Sequence, residues 1–124
     1  MKSNQFILKN IIDSDNVEKS ITDFLENSNG DLLSDFEHIL FFLSSLTFNK
    51  NSMLENKDII LYLFQRGLWI IKNTRKVGMK IKYKKQISLI FYMIISKPVI
   101  NKKKKTILSS FLLNLFIIKN KIFN

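Results

Sequence analysis

The chain has 124 residues, a formal net charge of +10 and no cysteine, and 46% of its residues are hydrophobic, eleven of them Phe. That length suits one domain with a single core, the apolar content excludes a disordered chain, and the missing cysteines exclude disulfides and thiolate metal sites. One proline and three glycines are too few for the turns of an all-β fold, so the expected class is all-α: five or six helices as stacked helical hairpins, in a short α-solenoid or a compact bundle.

Phe6, Ile7, Leu8, Ile11 and Ile12 open the chain, with only Lys2 and Lys9 charged. The run Phe6-Ile7-Leu8 is too short for a secretory h-region. An acid-free amphipathic start suits an organellar transit peptide, but the usual arginines are missing. A first helix is predicted over about 14–27, with Asp15 and Glu18 as a capping box and Val17, Ile21, Phe24 and Leu25 on one face. Asn29-Gly30 is expected to end it, the glycine taking the left-handed C-cap.

A second box, Ser34 with Glu37, precedes Phe36, Ile39, Leu40, Leu43 and Leu46, and Phe41 and Phe42 widen that face until the helix is buried on two sides. Asn49-Lys50-Asn51-Ser52 reads as a loop. Asp58 is the expected cap of the next helix, whose apolar set is Ile59, Ile60, Leu63, Phe64, Leu68, Ile70 and Ile71. Asn73 to Gly78 breaks the pattern. A helix over about 82–96 buries Ile87, Ile90, Phe91 and Ile94 until Pro98 stops it, and a last one from about 103 to 118 uses Ile107, Phe111, Leu112, Leu115 and Ile118. The uncharged runs Ile87–Ile95 and Ile107–Ile118 hold nine and twelve residues, against the roughly 20 of a transmembrane helix, so no transmembrane segment is expected. Burial of Phe36, Leu40, Leu43, Leu63, Phe64, Ile90 and Phe111 in one core is the packing expectation.

Charge is divided between the halves. All ten acids lie at or before Asp58, so residues 1–58 sum to −5 and residues 59–124 to +15. The absence of alanine and eighteen Lys against two Arg fit an AT-rich coding composition, which raises Lys and Asn without selection for charge. Acidic codons tolerate the same bias, so it does not account for the acids ending at Asp58. A basic half seeks polyanions or an acidic surface. Candidate phosphate contacts are the knots Lys80, Lys82, Lys84, Lys85 and Lys102, Lys103, Lys104, Lys105, with Arg66, Lys72, Arg75 and Lys76 continuing the patch. Both knots are expected at or just before a helix start, where the dipole disfavours each cation by roughly 0.3–1 kcal/mol and a bound anion would compensate. Tyr83, between Lys82 and Lys84, is the base-stacking candidate; Trp69, between Leu68 and Ile70, reads as core.

The single histidine, His38, has no partner spaced for acid–base work, no cysteine joins it in a zinc site, and no glycine-rich phosphate loop exists. No catalytic site, cofactor or metal is assigned. The chain divides into an acidic N-terminal helical segment, 1–30, and two helical-hairpin units, 31–124, within one folding domain. The units repeat: Phe36, Ile39, Leu40 and Leu43 match Ile87, Ile90, Phe91 and Ile94, while Ile59, Ile60, Leu63 and Phe64 match Ile107, Leu108, Phe111 and Leu112.

The runs 33–46 (LSDFEHILFFLSSL) and 85–94 (KQISLIFYMI) resemble the first helix of heptatricopeptide-type repeats. Those helical-hairpin repeats recur in organellar RNA-associated proteins, some of them in the mitochondrial ribosome of apicomplexan parasites. The resemblance covers residues 31–118 and lacks a RAP-type C-terminal domain. It implies a non-enzymatic RNA-associated protein, a small component of a mitochondrial ribosome that contacts rRNA and neighbouring proteins of the ribonucleoprotein particle. The expected place is the mitochondrion, with the cytoplasm as alternative. Two other readings stand beside it: a protein-interaction module, viral or host-modulating, that docks a partner helix in an apolar groove, or a peripheral protein on an anionic membrane. An exposed apolar groove without bound RNA would favour the interaction module, and co-sedimentation with liposomes would favour the membrane reading.

Overall fold

The computed structural model describes residues 2–27, 31–47, 50–96 and 102–123, and among them the chain is all-α. Seven helices follow in order: α1 (Lys2–Ile12), α2 (Val17–Glu26), α3 (Leu32–Thr47), α4 (Lys50–Glu55), α5 (Lys57–Asn73), α6 (Val77–Ser96) and α7 (Lys102–Phe123). The count exceeds the expected five or six because the N-terminal apolar stretch forms α1, with Leu8 in the core, and because Lys50, Asn51 and Ser52 lie in the short helix α4 rather than in a loop.

Local side-chain chemistry sets the helix starts, often one cap away from the residue expected. Asn16, not Asp15, caps α2: its side-chain oxygen accepts the Lys19 N–H at 3.1 Å. Asp31 takes the place assigned to Ser34, accepting the Leu33 N–H at 3.2 Å and the Ser34 hydroxyl at 3.0 Å. Asn56 stands at the N-cap of α5, and Asp58 lies in the first turn, where its charge complements the helix dipole. Thr74 closes α5, its hydroxyl donating to the Ile70 carbonyl at 2.7 Å. α6 then begins at Val77, five residues before the expected start, so Gly78 is a helical residue and not a breaker. Asn29, Gly30 and Pro98 lie outside the described residues.

α5 is the centre of the packing and lies against α3, α4, α6 and α7. Ile59, Ile60, Leu63, Phe64, Leu68, Ile70 and Ile71 are all buried, spread round enough of the helix to meet neighbours on several sides. Gly67 permits the closest approach. A Cβ built there would stand 2.9 Å from Ile87 Cδ1 on α6 and 3.5 Å from Ile39 Cγ2 on α3. The expected core residues Phe36, Leu43, Leu63, Phe64, Ile90 and Phe111 are buried in one cluster with Leu8, Ile21 and Leu25, so α1 and α2 share the core of the later helices. Leu40 is the exception: it is half-buried at the edge of that cluster. On α3, Phe42 is buried and Phe41 only half-buried. No described helix is long and apolar enough to cross a membrane.

Candidate interaction groove and basic surface

α6 and α7 both rest on α5, and an apolar cleft of about 280 Å³ opens between them. Phe64 and Leu68 of α5, Ile87, Phe91 and Ile95 of α6, and Leu115 and Phe116 of α7 line it, together with Ser88, Tyr92 and Lys119. Phe91 is the hinge of the aromatic packing, edge-on to Phe64 at 6.4 Å and to Phe116 at 5.2 Å between ring centroids. The Lys119 ammonium lies 5.6 Å from the Phe91 centroid, within cation–π range. The rim is open: Tyr92 is 68% exposed and Phe116 45%. Leu89, Met93, Leu113 and Ile117, also exposed, extend the apolar surface of the two helices beyond the cleft.

The sequence hints at this cleft without locating it. Ile87–Ile95 and Ile107–Ile118 carry more apolar residues than one buried face can use, and that surplus is the signal. Which of them face solvent depends on how far apart α6 and α7 sit over α5, and helical spacing does not fix that distance.

The predicted phosphate contacts scatter. Arg66 is not available to a phosphate: its guanidinium meets Asp35 at 2.9 Å and donates at 3.0 Å to both the Leu25 carbonyl and the Tyr62 hydroxyl, tying α5 to α2 and α3. Burial works against its charge, but the hydrogen bonds to Asp35 and Tyr62 outweigh that and hold its pKa above the ordinary arginine value. Tyr83, the stacking candidate, is 4% exposed and stacks on Phe36 with centroids 4.0 Å apart, so no base can reach its ring. Burial, and then the charges of Glu37 and Asp31, push its hydroxyl pKa up. Trp69 reverses the other way and is 55% exposed instead of buried. Spacing misled here because Trp69 lies on a side of α5 that faces solvent.

Lys72, Arg75, Lys76, Lys82, Lys84 and Lys85 are exposed and Lys80 is half-buried. Because α6 starts at Val77, the first knot lies within the helix and not at its N-terminus, and Arg75 and Lys76 stand before the first turn instead. The second knot holds its expected place. Lys102, Lys103, Lys104 and Lys105 are the first four residues of α7, and the side chains of Lys103 and Lys105 are exposed. His38 packs edge-on to Phe24 at 5.0 Å, and its buried Nδ1 has no hydrogen-bond partner. Among the described residues no group of His, Cys, Asp and Glu could hold a metal ion. No family model, curated protein or solved structure matches the chain.

Proposed function

We propose that this chain is a non-enzymatic interaction protein whose α5–α6–α7 groove receives an apolar segment of a partner protein. The observation that carries this reading is the exposure of Tyr92 and Phe116 over a cleft floored by Phe64 and Leu68. Large aromatic side chains left in water beside a formed cleft are what a docking surface presents, and a folded chain gains nothing from them alone. The test is to recover the protein from its source cells alongside a Ser88→Trp variant, whose indole fills the cleft. The reading expects a partner protein held by the unaltered chain and lost from a variant of unchanged melting temperature. The same partners on both forms would count against it.

A second reading, association with RNA, rests on the exposed lysines of α6 and α7 and on the absence of acids after Asp58. In this reading α3 with α5 and α6 with α7 are the two units of a helical-hairpin repeat protein. The chain is then a small structural component of an organellar ribonucleoprotein, the mitochondrial ribosome by resemblance, and rRNA phosphates meet the lysines. With Tyr83 and Arg66 withdrawn, binding would be electrostatic and indifferent to sequence.

A further inference from the structure

We infer that the outward face of α6 and α7 seats the protein on an anionic lipid surface, with exposed leucines entering the interface and lysines meeting the head groups; this goes beyond the groove reading. Leu89 is 67% exposed and Leu113 61%, and neither lines the cleft, so a segment held there does not account for them. Leu89 stands three residues before Tyr92 and Leu113 three before Phe116, each beside an exposed rim residue of its own helix. The two helices thus turn one apolar surface toward solvent.

Cations flank that surface. On α6, Lys82 and Lys85 lie seven and four residues before Leu89, on the same stripe of the helix. On α7, Lys119 follows Phe116 by three residues and Lys105 precedes it by eleven, about three helical turns. All four lysines are exposed, and neither helix contains an acid. Asp31 and Glu37 act on Tyr83, but Tyr83 stacks on Phe36 and so marks the α3 side of α6. Lys85, two residues on and about 200° round the helix, stands on the opposite side. A second copy would set its own lysines against these. RNA phosphates would pair with the lysines and leave the leucines in water. Anionic head groups above acyl chains complement both. No described helix is long and apolar enough to cross a membrane, so the contact is peripheral.

Co-sedimentation of the full chain with lipid vesicles tests the inference. The protein should pellet with vesicles that are roughly one-third phosphatidylserine and stay in solution with phosphatidylcholine alone, and salt should weaken the binding. Lys85→Gln combined with Lys105→Gln should lower affinity about twenty-fivefold, about fivefold for each lysine near the surface. Leu89→Gln combined with Leu113→Gln removes apolar surface at unchanged charge and should lower it about tenfold. Both variants should keep the melting temperature of the unaltered chain, since all four positions are exposed. Ser88→Trp should still bind vesicles, and the leucine variant should still recover the groove's partner protein, so the two readings fail separately. No pelleting with phosphatidylserine, or equal pelleting with phosphatidylcholine, would overturn the inference. So would a leucine variant that binds as before, since the lysines would then only be gathering on a charged surface. Self-association that the leucine variant abolishes would give the face to a second copy and overturn it too.

Discussion

Arg66 and Asp35 form a salt bridge of 2.9 Å between α5 and α3, and the same guanidinium reaches the Leu25 carbonyl of α2. With side chains 26% and 11% exposed, the pair is mostly withdrawn from water. One side chain thus joins the acidic N-terminal segment to the central helix. Arg66→Ala would remove the guanidinium from the Asp35 carboxylate and cost about 3 kcal/mol, the low end for breaking a buried pair. Arg66→Lys should recover little of it, since an ammonium lacks the planar fork that serves three acceptors. Urea denaturation measures both, and a loss below about 0.5 kcal/mol in Arg66→Ala would show the bridge to be only a surface pair.

Tyr83 and Phe36 give a second test, this one in pH. The folded state holds the Tyr83 proton more tightly than the unfolded chain, in which tyrosine ionises near pH 10. Stability from this group is therefore complete below about pH 10 and falls as pH rises toward the folded pKa, because the unfolded state then binds fewer protons. Tyr83→Phe keeps the stacked ring and removes the titration, so its melting temperature should fall less steeply above about pH 10 than that of the unaltered protein. Parallel alkaline curves would refute the assignment.

Trp69 is the only tryptophan, which makes its environment easy to read. Its emission should be that of a hydrated indole and should be quenched readily by iodide. Trp69→Ala should change stability by no more than about 0.5 kcal/mol, as for an exposed position, and not by the 3–5 kcal/mol of a buried aromatic.

Gly67 and Ile87 are coupled through the tight crossing of α5 and α6. Alanine at 67 gains up to about 1 kcal/mol in helix propensity but drives its Cβ to 2.9 Å from Ile87 Cδ1, at an overpacking cost of about 1–3 kcal/mol. Gly67→Ala alone should destabilise, and Ile87→Val, which lacks that Cδ1, should tolerate it better. A thermal double-mutant cycle should show a favourable coupling of at least about 0.5 kcal/mol.

These residues also show what was legible in the chain. Helix class and core membership follow from apolar spacing, and Phe36, Leu63, Phe64 and Ile90 are buried as that spacing requires. Asp15, Ser34 and Asp58 missed their caps because several Asn, Asp and Ser residues stand near each start and any of them can satisfy the first N–H groups. Trp69 and Tyr83 exchanged roles for a different reason. Within a helix one step of sequence is a 100° turn, and which side of α5 or α6 meets a neighbour is a tertiary choice. Arg66 was read by its charge, while its partners Asp35 and Leu25 lie 31 and 41 residues earlier, beyond any local pattern.

The lysines at the start of α7 decide between the two readings of function. Lys102, Lys103, Lys104 and Lys105 fill the first turn, where the helix dipole opposes them. Changing all four to Gln should hold or raise stability, by as much as about 1 kcal/mol, as cations leave a helix N-terminus. If these side chains meet RNA phosphates, each contact releases condensed counterions, and affinity falls with salt at a log–log slope of about −0.7 per contact for single strands. The variant should then bind every RNA sequence more weakly, with a slope shallower by up to about 3. RNA affinity and slope unaltered by the change would leave the lysine run a solvated product of composition and remove the main support for RNA association. The Ser88 groove would be untouched by that outcome, because its described lining on α7 begins at Leu115.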